Sequence, residues 1–225
     1  MCTRPNCKTY QLKEKPDYLI SGFHSRGVLP HIKREGGAYF ITFRLAGTLP
    51  KDILLKFKAE REAIVQKALA AKHPLTWHEQ EELFRWYSSR VDKYLDAGDG
   101  DCWMRLPQVA EIVASAIQYH AGERFELYEW CVMPNHVHAV LRPLQDWTLS
   151  SILKGWKGYS GRKANAFLKR TGMRFWQKES FDHLVRDDAD MERCCGYTAM
   201  NPVNAGLCKR PENWKWSSIH KATVS

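Results

Sequence analysis

The chain has 225 residues and a hydrophobic content of 44%, which is enough for one packed domain and excludes global disorder. It has no apolar run long enough to cross a membrane and no signal-peptide stretch, and its seven cysteines are scattered, so we expect a cytoplasmic protein without disulfides. The net charge is +9, and residues 151–225 carry +7 of it, with 14 basic and 7 acidic residues, which favours an acidic partner such as nucleic acid.

Hydrophobic periodicity and turn residues predict an α+β chain. The predicted elements are a strand at 39–45, helices at 52–71, 77–95 and 106–120, strands at 125–132 and 136–142, and helices at 149–168 and 188–200. Thr76 and Glu79 form a capping box that opens the second helix, and Pro202 is expected to end the last helix.

The order of these elements indicates a single domain. Residues 1–36, rich in Pro, Gly, Lys and His, are expected to form an irregular arm. The domain then covers residues 37–218, with a helical insertion over about 52–105, and residues 219–225 form a tail. No linker is long enough to separate two domains, and the sequence leaves open whether the chain is a monomer or a homodimer.

Two histidines in the predicted strand at 136–142 are the most informative feature of the sequence. His136 and His138 are two residues apart, and side chains at i and i+2 of a strand point to the same face. Neutral imidazoles are common metal ligands, so such a pair can supply two ligands from a rigid element. The alternative is two polar residues on a solvated strand face.

A second signal follows in the last predicted helix. Tyr197 and Asn201 are four residues apart and therefore share a helix face, with Asn201 expected at the helix end before Pro202. An amide oxygen suits hard cations such as Mg²⁺ or Mn²⁺. The alternative is a core tyrosine and an asparagine that caps the helix.

Basic and aromatic side chains alternate in the last third of the chain, as in proteins that contact phosphates and stack on unpaired bases. The candidate DNA contacts there are Lys154, Lys157, Tyr159, Arg162, Lys163 and Arg174. Tyr159 is also a rival to Tyr197 as a nucleophile, although only Tyr197 has a possible ligand at i+4. His183 is a weaker ligand candidate, for which a structural hydrogen bond is the expected role.

Together, these and several further motifs resemble the REP-associated tyrosine transposases, relatives of the single-tyrosine transposases of the His-hydrophobe-His endonuclease superfamily. The resembling motifs are, in chain order, Phe23–Gly27, Gly37–Arg44, Met133–His138, Phe175–Gln177, Phe181–His183, Asn201–Leu207 and Trp214–Ser218. Thr198 and Asn204 depart from the family pattern, in which an aliphatic residue and a lysine are usual.

The resemblance implies a fold, an activity and roles for four residues. The fold is an α+β, ferredoxin-like antiparallel sheet flanked by helices. His136 and His138 are implied metal ligands and catalytic residues, with Asn201 as the third ligand and Tyr197 as the nucleophile. The implied activity is metal-dependent cleavage and joining of single-stranded DNA at REP-like hairpins, with Mg²⁺ or Mn²⁺ and a 5′-phosphotyrosine intermediate. The alternatives are a hairpin-binding protein that does not cleave, and a metal-stabilised domain without a nucleic-acid role.

Overall fold

The computed structural model describes residues 22–25, 30–33, 36–70, 76–98 and 100–220. Its strands are β1 (Gly22–Ser25), β2 (Pro30–Lys33), β3 (Tyr39–Arg44), β4 (Phe125–Val132), β5 (His136–Pro143) and β6 (Phe181–Leu184). Its α-helices are α1 (Lys51–Ala70), α2 (Trp77–Trp86), α3 (Lys93–Asp96), α4 (Pro107–Gln118), α5 (Leu149–Phe167) and α6 (Asp188–Asn204). The remaining helical segments are a π-helical segment, Tyr87–Asp92, and two 3₁₀ turns, Trp103–Arg105 and Pro211–Asn213.

Four strands form an antiparallel sheet in the order β4-β5-β3-β6. Along the chain, β3 is followed by the insertion and then by α4. Strands β4 and β5 form a hairpin, and α5 connects this hairpin to β6. This β-α-β-β-α-β connection with the first strand between the third and the fourth is the ferredoxin-like arrangement. The predicted α+β fold is therefore confirmed.

The two faces of the sheet are covered by different helices, because side chains alternate along each strand. On one face Ile41, Phe43 and Val137 pack in a core with residues of α4 and α5. On the other face Phe40 and Val140 pack with residues of α6 and of the insertion. His136 and His138 follow the register of Val140, so the sheet directs both toward α6 and the insertion.

The insertion is tied to the domain by specific polar contacts. Arg193 of α6 donates to both carboxylate oxygens of Glu81 in α2, each at 2.9 Å. The side chain of Asn135, in the β4–β5 turn, donates to the Leu95 carbonyl oxygen at 2.9 Å. These contacts hold α2, the π-helical segment and α3 against the histidine face of the sheet.

Residues after α6 cover the outer edge of β4. The Val132 amide donates to the Trp216 carbonyl oxygen at 2.8 Å, and the Ser218 amide donates to the Trp130 carbonyl oxygen at 3.0 Å. The Trp214 indole donates to the Val132 carbonyl oxygen at 3.0 Å. Covering the edge satisfies backbone groups that would otherwise be open to pairing with another chain.

Several sequence predictions need correction. The arm over residues 1–36 was expected to be irregular, but β1 and β2 pair in an antiparallel hairpin. Strand β6 was not predicted. Both cases involve four-residue strands, which are too short to show an alternating pattern. Residues 1–21, residues 71–75 between the first two predicted helices, and residues 221–225 lie outside the described residues.

The predicted helix over 77–95 begins with the expected capping box, but it is not one regular α-helix. Residues Tyr87–Asp92 form a π-helical segment between α2 and α3. A π-helical turn contains more residues than an α-helical turn, so it rotates every later side chain relative to the regular α pattern. Asp92 and Asp96 thereby occupy positions that α-helical periodicity does not predict.

A buried ionic network joins β6 to α6. His183 Nε2 lies 2.9 Å from Asp190 Oδ2, and Arg193 contacts Asp190 Oδ1. Burial alone would raise the pKa of Asp190, but its bonds to His183, Arg193 and the Arg186 amide hold the pKa below its ordinary value. The network therefore stabilises the fold above pH of about 4 and loses this contribution as the pH falls further.

Replacing Asp190 by asparagine should destabilise the protein by about 3 kcal/mol, because it removes the buried charge that His183, Arg193 and the Arg186 amide bond. Urea unfolding followed by circular dichroism measures the change. Asp188→Asn, at an exposed position of the same helix, should change stability by less than about 0.5 kcal/mol. Equal effects of both substitutions would show that the network contributes nothing.

No helix in the described part of the chain is long and apolar enough to cross a bilayer.

Candidate active site

The two histidines of β5 meet at the centre of the site. His136 and His138 are both completely buried, and their Nε2 atoms lie 2.9 Å apart. Their rings are nearly perpendicular, with centroids 4.6 Å apart. The structure therefore places both imidazoles in contact on one face of the sheet, as the i, i+2 spacing predicts.

Asn135 fixes the protonation of His136. Its amide nitrogen donates to the Leu95 carbonyl oxygen, so its oxygen must face His136 Nδ1, at 2.7 Å. An oxygen acceptor at that position requires the proton on Nδ1. The Nε2 lone pair of His136 therefore faces His138 Nε2, and it can accept a proton from that nitrogen or bind a cation.

His138 is held from β3. Thr42 Oγ1 lies 2.8 Å from His138 Nδ1, and the ring of Phe40 stacks on the imidazole with centroids 5.6 Å apart. A hydroxyl can donate or accept, so Thr42 supports either neutral form of His138. When Thr42 donates to Nδ1, His138 donates its Nε2 proton to His136 Nε2; when His138 instead donates its Nδ1 proton to Thr42, both Nε2 lone pairs face each other and can bind one cation.

Both histidines are neutral at physiological pH. Burial lowers the pKa of His136 to about 3, and the neighbouring Asn201 side chain opposes part of this shift. Burial, together with the neighbouring His136, also lowers the pKa of His138 well below its ordinary value. Neutral imidazoles bind metals without first losing a proton.

Helix α6 brings Tyr197 and Asn201 next to the two histidines. The Asn201 side chain lies beside both histidines, and the Tyr197 ring meets His138 edge to face with centroids 5.6 Å apart. The sequence predicted that this helix ends before Pro202. In the structure α6 continues to Asn204. Proline has no backbone N–H and removes one helical hydrogen bond, and Pro202 lies in the last turn, where the helix ends two residues later.

The insertion adds two carboxylates that sequence reasoning missed. Asp92 Oδ2 accepts a hydrogen bond of 2.8 Å from the Tyr197 hydroxyl, and Asp96 Oδ1 lies 3.7 Å from His136 Nε2. Burial raises the pKa of Asp92 well above its ordinary value, and it raises that of Asp96 to about 7. The only sequence signal would have been two aspartates four residues apart, which is common on exposed helices.

The environment of Tyr197 disfavours its ionised form. Burial raises the pKa of the hydroxyl far above its ordinary value of about 10, and the Asp92 charge raises it further. A nucleophilic role therefore requires a nearby proton acceptor or cation. Asp92 supplies the acceptor in the present geometry.

The donor set fits a divalent metal ion. His136, His138 and Asp92 each offer a ligand atom, and these atoms lie within 4.8 Å of one another. Asn201 Oδ1 is buried and has no hydrogen-bond partner among the described residues. Two imidazole nitrogens with amide and carboxylate oxygens form a mixed set that divalent Mn²⁺ and Mg²⁺ accept.

The candidate DNA contacts lie on and beside α5. Five of them are exposed: Lys154, Tyr159, Arg162, Lys163 and Arg174. Lys157 differs, because it is partly buried and donates to the Lys178 carbonyl oxygen at 3.0 Å. Tyr159 lies in this exposed set, and the described contacts do not join it to the histidine pair.

A second cluster of potential ligands contains His183, Asp190 and Cys194. Here both oxygens of Asp190 already bond His183, Arg193 and the Arg186 amide. A guanidinium in contact with the carboxylate opposes a second cation at the same place. This cluster is therefore the structural network described above.

Comparison with known proteins places the site in a family context. A family model described as "Transposase IS200 like" matches residues 107–197, a range that contains both histidines and ends at Tyr197. The REP-associated tyrosine transposase of Escherichia coli K12 is 29% identical over 101 residues, covering 43% of this chain and 56% of that protein. A Haemophilus influenzae protein named after the same family is 27% identical over 108 residues, covering 43% and 60%.

The resemblance to the REP-associated tyrosine transposases is thus confirmed by the family model and by the curated relatives. The chain matches somewhat more than half of the length of each relative. A solved structure of a REP-associated tyrosine transposase bound to a REP hairpin aligns with a TM-score of 0.47 at 17% identity, covering 85% of this chain and 84% of that one. The helical insertion, with Asp92 and Asp96, precedes the range that the family model matches.

Proposed function

We propose that this protein cleaves and rejoins single strands of DNA, with Tyr197 as the nucleophile and a divalent metal ion, Mg²⁺ or Mn²⁺, as the cofactor. The observation that carries the proposal is that Tyr197, Asn201 and the histidine pair lie next to one another between β5 and α6. The family model and the curated relatives support this class of activity.

In the proposed reaction, the Tyr197 oxygen attacks the phosphorus of a phosphodiester. A bond forms between this oxygen and phosphorus, the bond from phosphorus to the 3′ oxygen breaks, and a 5′-phosphotyrosine and a 3′-hydroxyl result. The phenolic proton passes to Asp92 Oδ2, which already accepts it in a hydrogen bond, and the 3′ oxygen takes a proton from water. Attack by another 3′-hydroxyl reverses the step and joins strands.

His136, His138 and Asn201 would hold the metal ion. When bound, the ion would polarise the scissile phosphate and offset the charge that develops on it. Asn135 and Thr42 serve this role indirectly, because they orient the two imidazoles and set their protonation.

Access to the site requires a local movement. His136 and His138 have no exposed surface, and Tyr197 is only partly exposed. Phe84 of α2 packs on Tyr197 with ring centroids 6.1 Å apart, and Asp92 holds its hydroxyl. A DNA phosphate therefore reaches the histidines only after the covering residues of the insertion shift.

The closed site also favours a second candidate function. A protein that binds hairpins through the basic surface of α5, without cleavage, has no need of an accessible histidine pair. The two functions differ in one product, the covalent protein–DNA adduct.

The deciding experiment is incubation of the full chain with a labelled single-stranded REP-like hairpin and Mn²⁺, followed by a denaturing gel. The cleaving function predicts a labelled band that migrates with the protein and a shortened DNA product. Binding in solution without such a band would support the hairpin-binding alternative.

The partner we propose is single-stranded or hairpin DNA rather than blunt duplex. Tyr159 on the exposed basic helix can stack on an unpaired base, whereas paired bases expose no face. Affinity for a hairpin with unpaired bases should exceed that for blunt duplex. It should fall by about tenfold or more between 50 and 200 mM salt, through release of counterions from the contacted phosphates.

Fluorescence anisotropy with three labelled DNAs, measured as a salt titration, tests this preference. Lys163→Ala should weaken binding and reduce the slope of log affinity against log salt concentration by about one, as expected for the loss of one phosphate contact. Lys56→Ala removes an exposed lysine of the insertion and is the control. Equal affinity for duplex and hairpin would contradict the proposed surface.

A further inference from the structure

Three buried oxygens around the histidine pair have no hydrogen-bond partner among the described residues. They are Asp92 Oδ1, Asp96 Oδ1 and Asn201 Oδ1. Asp92 offers an oxygen within 4.8 Å of both histidine nitrogens, and Asp96 Oδ1 lies 3.7 Å from His136 Nε2. The Asn201 side chain lies beside both histidines. The oxygens without a hydrogen-bond partner therefore surround the histidine pair.

This arrangement is costly without a cation. An unpaired buried carboxylate is among the least favourable groups in a protein interior, and two such groups near each other also repel. In the described part of the chain, no lysine or arginine lies within ion-pair distance of Asp92 or Asp96. The nearby arginine, Arg193, already pairs with Glu81 and Asp190.

We propose that Asp92 and Asp96, carried by the helical insertion, are ligands of the divalent metal ion together with His136, His138 and Asn201. The inference rests on the metal site of the proposed function and extends it. It assigns the insertion to the catalytic centre and not to the surface of the domain. Because both aspartates precede the range that the family model matches, they distinguish this chain from what that model describes.

Asp92 then has two roles through its two oxygens. Oδ1 has no hydrogen-bond partner among the described residues, and Oδ2 accepts the Tyr197 hydroxyl. A single side chain thus connects the metal to the nucleophile and sets their separation. The π-helical segment explains how this is achieved, because it turns Asp92 into the cavity while Val91 and Leu95 pack in the core.

The charge of the donor set has a consequence for affinity. Two carboxylates neutralise a divalent ion, whereas two imidazoles and an amide leave its full charge in a buried cavity. Oxygen-rich sets also favour Mn²⁺ and Mg²⁺ over softer ions. We therefore expect Mn²⁺ to bind the protein without DNA, and we expect this affinity to depend on the insertion.

Isothermal titration of the metal-stripped full chain with MnCl₂ tests the proposal in the absence of DNA. Asp92→Asn should weaken Mn²⁺ binding by tenfold to a hundredfold or more, and Asp96→Asn by about tenfold. Asp52→Asn, an exposed aspartate of the same insertion, is the matched control and should bind as the wild type does. Electron paramagnetic resonance of bound Mn²⁺ should change for the first two variants only.

The outcome is decisive even if one variant fails. Asparagine keeps the size of aspartate and can still accept from Tyr197, so Asp92→Asn should give an unchanged circular dichroism spectrum. If it does not fold, Asp96→Asn decides alone, because its side chain is 20% exposed and tolerates change. Wild-type affinity in the folded variants would overturn the proposal.

The result is separable from the test of DNA cleavage. A protein that binds Mn²⁺ through the aspartates but forms no DNA adduct would refute the proposed function and retain this inference. A protein that forms the adduct, with variants of unchanged Mn²⁺ affinity, would overturn this inference alone.

Discussion

Replacing Tyr197 by phenylalanine should abolish the covalent protein–DNA adduct and strand cleavage, while hairpin binding stays within about twofold of the wild type. The substitution removes one hydroxyl, keeps the ring that packs on Phe40 and His138, and changes no charge of the basic surface. The loss should be at least about a thousandfold, because a missing nucleophile leaves no alternative covalent path. A denaturing gel and anisotropy titrations measure the two properties.

Two comparisons make this result specific to Tyr197. Tyr159→Phe should retain the adduct, because Tyr159 lies on exposed α5 and the described contacts do not join it to the histidines. Excess Mn²⁺ should not restore cleavage to Tyr197→Phe. An active Tyr197→Phe with an inactive Tyr159→Phe would assign the nucleophile to the basic helix instead.

The sequence predicted the centre of the fold and of the candidate site because the relevant signals are local. The i, i+2 spacing of His136 and His138 and the i, i+4 spacing of Tyr197 and Asn201 determine faces of regular elements. Regular periodicity therefore places each pair correctly, whatever the rest of the chain does.

The contributions of Asp92 and Asp96 could not be predicted for the opposite reason. Their positions depend on a π-helical segment and on how the insertion packs against α6, through contacts such as Arg193 with Glu81. These contacts join residues more than a hundred positions apart, and no local pattern encodes them. A regular helix over 77–95 would have directed Asp92 elsewhere.

The helix through Pro202 shows a similar limit. The steric rule for the residue before proline predicts a helix end at Asn201, yet α6 continues to Asn204. Packing of the helix on β4 and β5 outweighs the local preference, since only one backbone donor is lost. Asn201 consequently lies inside the helix, where its orientation toward the histidines is more strongly fixed than at a helix end.

Replacing His136 by alanine should stop cleavage through loss of metal binding, with Tyr197 and the basic surface unchanged. His136 is completely buried, and its Nδ1 proton is held by Asn135, so its Nε2 is the better defined of the two imidazole ligands. In the wild type, Mn²⁺ at a hundred times its Kd should stabilise the fold by about 2.7 kcal/mol, since only the folded chain presents the site. Differential scanning calorimetry with and without Mn²⁺ should show this increase, which His136→Ala should largely lose.

The His136→Ala variant separates metal binding from nucleophile chemistry. High Mn²⁺ should partly restore its cleavage, because the remaining donors still bind the ion weakly, whereas it cannot restore Tyr197→Phe. His78→Ala, at an exposed position of the insertion, should keep both the Mn²⁺-dependent stabilisation and the adduct. Chelation by EDTA should reproduce the His136→Ala phenotype in the wild type, and readdition of Mn²⁺ should reverse it. Full cleavage by chelated wild-type protein would show that Tyr197 acts without a metal, and the histidine pair would then need a different explanation.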